Sequence, residues 1–133
     1  MITSNLRINQ LSATAYNQYL AYLQAMDNRD VEGYGRFLAD DVTVQFNNDA
    51  PMQGGKEAVL QGLGAYWQSF ASIEHDLTNI YGTDSNYVLE ALNHYVRHDG
   101  KAVTVHAVAF TDLNEAGEVK SVRIYQDVSP VLA

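Results

Sequence analysis

Between Ala13 and Asn28 apolar side chains return every three or four positions, and Tyr19, Tyr22, Leu23 and Met26 fall on one stripe. That is the period of one face of an α-helix. Ser12 is placed to cap this helix, which runs to about Asn28, and Asp30 is placed to cap a short second one, VEGYGRFL. Phe37 and Leu38 close the second helix, and VTVQFN (42–47) then alternates as a strand does. NDAPMQGG reads as a loop, and KEAVLQGLGAYWQSF (56–70) as a third helix weakened by Gly62 and Gly64. From there the period is two. Strands are predicted near 72–81, 87–98, 101–113 and 118–128, joined by GTDSN, the Asp99–Gly100 pair and NEAG.

Helices, one strand, a helix and then a meander predict an α+β fold, with three helices packed on one face of a curved, mostly antiparallel sheet. The chain is read as a single domain over 1–133, with about residues 1–11 as an N-terminal extension. A two-residue turn at Asp99–Gly100 sets His98 opposite Lys101, His94 opposite Val105 and Leu92 opposite Ala107. One face then carries Glu90, Leu92, His94 and Val96 with Val103, Val105, Ala107 and Ala109, joined by Val122, Ile124 and Gln126. The other carries Leu89, Ala91, Asn93 and Tyr95 with Thr104, His106, Val108, Phe110, Arg123 and Tyr125. Both are too apolar for plain exposure. Helices are expected to cover the first, and a second copy of the chain to cover the other, giving a homodimer.

Composition narrows the partners. The 133 residues are 47% hydrophobic and 18% charged, with a formal net charge of -8 and no basic stretch. Nucleic acid and anionic membrane surfaces are therefore excluded as partners, because both demand clustered cations. The absence of cysteine removes disulfides, thiolate metal sites and a thiol nucleophile. The opening MITSNLRINQ has no apolar core of a leader, and no run has membrane-spanning length, so a cytoplasmic protein is expected.

The candidate chemistry lies on the strands. In SIEHDLTNIY, Ile73, His75, Leu77, Asn79 and Tyr81 share one side, which puts His75 and Asn79 inward, while Glu74, Asp76 and Thr78 point away. With His94 on the inner face, a polar row runs His75, His94, Val105, Gln126, and small Ala107 and Ala109 leave room for a ligand. Paired histidines suit acid–base work, since a base needs an orienting partner. Glu90, placed opposite Ala109, is either a buried acid or a solvated group at the mouth. His98 abuts a turn, and His106 is read as an interface residue. No third ligand sits at metal-site spacing, so no metal is expected. GLG (62–64) lacks a dinucleotide fingerprint, GGKE (54–57) lacks the phosphate-loop Ser or Thr, and no G-x-S-x-G occurs.

YLAYLQAMDNRDVEGYGRFLADDVTVQF, GGKEAV, HDLTN and VKSVRIYQDVSPV give the chain, from Ala13 to Ala133, a resemblance to the SnoaL-like, nuclear-transport-factor-2-like superfamily. The resemblance implies a cone-shaped, cystatin-like fold enclosing a pocket. It leaves the activity open, since these folds host isomerases, dehydratases, cyclases, epoxide hydrolases and binders. Against ketosteroid isomerases, the position of the general base falls at Phe46 and that of the acid donor at Ala109, while Tyr22 matches the helix-one tyrosine. Asp40 and Asp41 then read as capping and terminating residues. Scytalone-dehydratase-like and bile-acid-dehydratase-like enzymes are similar in more respects. His75 and Asn79 match their strand motif, Tyr19 or Tyr22 the tyrosine, His94 or His98 a second histidine, and Asp27 or Asp30 an aspartate near the end of helix one. The limonene-epoxide-hydrolase trio needs an arginine in the pocket, and Arg97 and Arg123 fall on the wrong face.

The expectation is a cofactor-independent isomerase, dehydratase or cyclase acting on an apolar, oxygenated, polyketide-like or steroid-like compound. His75, Tyr22 and His94 are its expected catalytic residues. Tyr19, Phe46, Trp67, Asn79, Glu90 and Gln126 are expected to line its substrate site. The alternative is a small-ligand-binding domain without turnover, which apolar Phe46 and Ala109 favour.

Overall fold

The computed structural model describes residues 1–133. Its elements are β1 (Ile8–Asn9), α1 (Ala13–Asp27), α2 (Val31–Gly35), β2 (Leu38–Phe46), α3 (Gly55–Trp67), β3 (Ser72–Gly82), β4 (Asn86–Val96), β5 (Ala102–Leu113), β6 (Val119–Gln126) and α4 (Ser129–Leu132). One six-stranded sheet runs in the order β1-β3-β4-β5-β6-β2. β3 to β6 pair antiparallel, while β1 joins β3 and β2 joins β6 in parallel. The result is α+β, an NTF2-like, cystatin-like fold with a curved, unclosed sheet.

Both N-terminal caps form where the sequence puts them. Ser12 Oγ accepts the Ala15 N–H at 3.2 Å, and Asp30 Oδ1 accepts the Gly33 N–H at 3.0 Å. A side chain at Gly33 would collide with that Asp30 carboxylate, its Cβ falling 2.2 Å from Oδ2. The end of α1 is less expected. Arg29 takes the left-handed conformation, φ 53°, that glycine usually supplies, and Asp30 N–H reaches back to Ala25 O at 2.9 Å. Its guanidinium donates to Phe70 O at 3.0 Å, next to the end of α3. A glycine could not make that bond.

Buried Leu23, Val44, Val59, Leu63, Phe70 and Leu77 join the helices to the concave side of the sheet. Each such side chain contributes roughly 1.5–3 kcal/mol through burial. The predicted N-terminal extension is part of the sheet: β1 forms one edge, and Ile2 bridges to Asp76.

Two departures from the predicted register matter. The β4–β5 loop holds three residues, not two. Gly100 N–H bonds Arg97 O at 2.9 Å, Arg97 N–H bonds Lys101 O at 2.9 Å, and Gly100 has φ 86°. This is a type I turn followed by a left-handed glycine, which adds one residue to the loop. The pairs are therefore His94–Thr104, Asn93–Val105 and Leu92–His106. A one-residue slip reverses the strand. Tyr87, Leu89, Ala91, Asn93 and Tyr95 are all buried on the inner side, while Glu90, Leu92, His94 and Val96 face outward. His94 and His106 thus share the outer face instead of lying on opposite ones. The β5 and β6 assignments, Val105, Ala107 and Ala109 with Val122, Ile124 and Gln126, hold, and all but Val105 line the cavity described below.

The second departure is a bulge in β3 between Leu77 and Asn79. The extra residue restores Ile80 to the inner side, opposite Leu89, and turns Asn79 outward opposite Glu90. Tyr81, predicted inward, is exposed.

Candidate active site

His75 lies on the inner side of β3, and the C-terminal end of α1 crosses above it. Asp27, the last residue of that helix, places its carboxylate on the histidine from two directions. Oδ1 lies 2.5 Å from His75 Nδ1, and the His75 backbone N–H is 3.2 Å from both carboxylate oxygens. The Met1 amino group lies 3.2 Å from Oδ2. The two side chains are 6% and 5% exposed. Burial by itself would raise the Asp27 pKa. The His75 hydrogen bond, its charge and N–H, and the Met1 amino group outweigh it and hold the carboxyl below its ordinary value. An ionised Asp27 accepts the Nδ1–H, which leaves the Nε2 lone pair as the reactive site of the imidazole.

His75 opens into an apolar cavity whose mouth reaches solvent. Its wall is aromatic. The Tyr22 and Tyr34 hydroxyls are 2.8 Å apart, and Tyr34 packs edge-on against Trp67. Burial, reinforced by Tyr34, pushes the Tyr22 phenol well above its usual value. Burial also pushes Tyr34 up to about 12, against the pull of its bond to Tyr22. Both stay protonated at neutral pH, so one of the two O–H groups is free to donate to a ligand. Between α3 and the sheet, the Tyr66 and Tyr95 hydroxyls are 3.2 Å apart, and Tyr95 donates to Gln126 Oε1 at 3.2 Å. No lysine, arginine or unpaired carboxylate lines the cavity.

A fold of this shape, with this cavity, has a sequence counterpart: the model of the SnoaL-like domain matches residues 19–122. The chain belongs to the SnoaL-like domain family. A search of curated proteins finds no match. Among solved structures, this SnoaL-like domain is similar to a candidate SnoaL-like polyketide cyclase from Shewanella denitrificans OS-217, with TM-score 0.77, 13% identity, and 91% of this chain and 98% of the other covered. It is also similar to a limonene-epoxide-hydrolase-like epoxide hydrolase of Mycobacterium tuberculosis, with TM-score 0.71, 18% identity and coverage of 88% and 85%. A third is SalBIII, an epoxide hydrolase/cyclase-like enzyme with a role in pyran ring formation in polyether salinomycin, with TM-score 0.73, 11% identity and coverage of 87% and 92%. At these identities the likeness is one of fold.

Of the residues the sequence singled out, the SnoaL-like fold gathers His75, Tyr19, Tyr22, Phe46, Trp67 and Gln126 around the cavity. Three others lie elsewhere. His94 is on the outer face, where Nε2 meets Asp76 Oδ2 at 2.9 Å and Nδ1 meets Thr104 Oγ1 at 2.9 Å; the three-residue loop put it there. Asn79 and Glu90 bond to each other, Nδ2 to Oε1 at 2.7 Å, outside the cavity, because of the bulge and the same loop. Glu90 is therefore no buried acid. Asp40 and Asp41 do not end a helix. They are exposed within β2, which starts at Leu38 in place of the predicted 42, and they too lie outside the cavity.

Between the two aspartates the resemblance left open, Asp27 pairs with His75, and Asp30 caps α2. The sequence reading missed Tyr34, Asn93, Tyr95 and Thr111 as cavity residues. A signal for two of them was present. The odd-numbered side of β4, Tyr87-Leu89-Ala91-Asn93-Tyr95, has no ionisable acid or base of the Glu, His, Lys or Arg kind, whereas the even side holds Glu90 and His94.

Proposed function

We propose that this cavity moves a proton on carbon in a small, uncharged, apolar, oxygenated compound of polyketide-like or steroid-like kind. The observation that carries the reading is the buried His75–Asp27 pair, which presents Nε2 to an aromatic cavity shared with the Tyr22–Tyr34 hydroxyl pair. Nε2 takes the proton from a carbon next to a carbonyl. Asp27 holds the ring and stabilises the imidazolium that forms, and the Tyr22 O–H, backed by Tyr34, donates to the developing oxyanion. The proton on Nε2 then has three uses. It returns to another carbon in an isomerisation, protonates a departing β-hydroxyl in a dehydration, or quenches the alkoxide after the enolate attacks a second carbonyl in a cyclisation. None of these needs a cofactor. A ligand anion would be buried without a counter-charge, which favours neutral substrates.

The test is hydrogen–deuterium exchange at the α-carbons of 2-decalone in D2O, followed by NMR. Exchange faster than buffer in the wild type, and absent in His75→Ala, is expected. Exchange that persists in His75→Ala would end this reading. The second reading, a ligand-binding domain without turnover, draws on Phe46 and Ala109, apolar where the isomerase resemblance calls for carboxylates. It expects no exchange above buffer from the wild type.

We also propose a homodimer through the outer sheet face, where Phe110 and Tyr125 are 36% and 43% exposed beside half-buried Leu92 and Val108.

A further inference from the structure

We infer that the cavity favours a ligand that carries a hydroxyl, and that Asn93 Oδ1 is the atom that accepts it. Asn93 sits directly across the strand pair from His75, on the inner face, and is 4% exposed. Its amide meets the Gln126 amide. Nδ2 donates to Gln126 Oε1 at 3.2 Å, and the same Oε1 receives the Tyr95 hydroxyl at 3.2 Å. Asn47 anchors the Gln126 backbone: its Oδ1 accepts the Gln126 N–H at 2.9 Å and its Nδ2 donates to Gln126 O at 2.8 Å. With Nδ2 on Gln126, Asn93 Oδ1 is left as an acceptor with no partner in the protein.

Buried carbonyl oxygens are nearly always paired, and an unpaired one destabilises the fold. A purely structural side chain at this position would be better served by an apolar residue. A ligand that supplies a donor accounts for the open acceptor. A ketone or ether oxygen cannot fill it, because neither carries a hydrogen. Two other buried side-chain oxygens lack a partner: Asn79 Oδ1 lies outside the cavity, and Thr111 Oγ1 in its wall is a hydroxyl that both gives and takes, so neither discriminates among ligands. The ligand is thus an alcohol or enol within an apolar skeleton. That this hydroxyl lies beside the reacting carbon rests on the proton-transfer reading above; the preference for it does not.

The test uses two probes, 2-decalol and 2-methoxydecalin, which share a bicyclic skeleton and an acceptor oxygen and differ in the donor. Binding is read from the fluorescence of Trp67, the single tryptophan, which lines the cavity. Wild-type protein should bind the alcohol about ten- to a hundredfold more tightly than the ether. In Asn93→Leu the two affinities should converge, and Asn93→Ala serves if the leucine variant does not fold. The preference should persist in His75→Ala. Equal wild-type affinities would overturn the inference without any variant. So would a preference lost in His75→Ala and kept in Asn93→Leu, which would assign the hydroxyl to Nε2. The readout is binding alone. A wild type that prefers the alcohol yet exchanges no α-hydrogen would therefore sink the proposed reaction and leave this inference standing.

Discussion

Asp27 Oδ1 and His75 Nδ1 lie 2.5 Å apart, although 48 residues separate them in the chain. Three local devices bring them together: the Arg29 turn that ends α1, the parity of β3 before its bulge, and the His75 N–H that grips the same carboxylate. A carboxylate held this way selects the imidazole tautomer with a basic Nε2.

Replacing Asp27 by Asn should therefore disable the reaction without removing the histidine. The amide offers no charge to the imidazolium and permits the wrong tautomer. Exchange into 2-decalone should fall by about two to four orders of magnitude, with the far-UV dichroism unchanged. Full activity in Asp27→Asn would remove the aspartate from the mechanism.

The same pair sets an acid limit on stability. Asp27 has a folded pKa below its unfolded value of about 3.9. Its stabilisation is thus fully present above that value and is lost as the pH falls through the lower, folded one. Urea midpoints measured from pH 6 to pH 2 should drop more steeply for the wild type than for Asp27→Asn below about pH 4. Asp76 is also held low, by His94 and Asn5, but it is present in both chains and cancels in the comparison.

Tyr22→Phe should act on turnover more than on binding. A donor to an oxyanion matters most when the charge develops, so kcat should fall by about a hundred- to a thousandfold while KM moves little. Tyr34→Phe should cost less, because it leaves the Tyr22 hydroxyl in place. Steady-state kinetics on any substrate found by mass spectrometry of co-purified ligand would decide. A change confined to KM would make Tyr22 a binding residue only.

Gly100 gives a test of the hairpin that determines the inner face. A side chain there meets nothing within 4 Å, so Gly100→Ala carries only the backbone cost of φ 86°, about 1–2 kcal/mol. Chemical denaturation should show that loss with exchange activity kept. A neutral substitution would mean that the loop has another conformation.

Phe110→Glu should separate the two copies of the proposed dimer. Arg123 lies over the Phe110 ring at 5.0 Å and Tyr125 meets its edge, so the phenyl group is the centre of that patch. Sedimentation at micromolar concentration should give twice the chain mass for the wild type and a single mass for the variant. A monomeric wild type would dismiss the dimer.

Features that depend on near neighbours are legible in the residues alone. Caps at Ser12 and Asp30 are contacts three residues long, and the tyrosine stripe of α1 follows from 3.6 residues per turn. The α+β order and the inward side of His75, β5 and β6 follow from period alone. Two single-residue insertions escaped it, one in the loop at His98–Gly100 and one in the bulge at Thr78. Strand period is two, so each extra residue exchanged the faces of everything beyond it, sending His94, Asn79 and Glu90 out and bringing Asn93 and Tyr95 in. Alternation can be read along a chain, but pairing across it is decided by packing, which favours burying Tyr87, Leu89 and Ala91 over Glu90 and His94. Only the tertiary structure, by laying the end of α1 over β3, could choose Asp27 over Asp30 as the partner of His75.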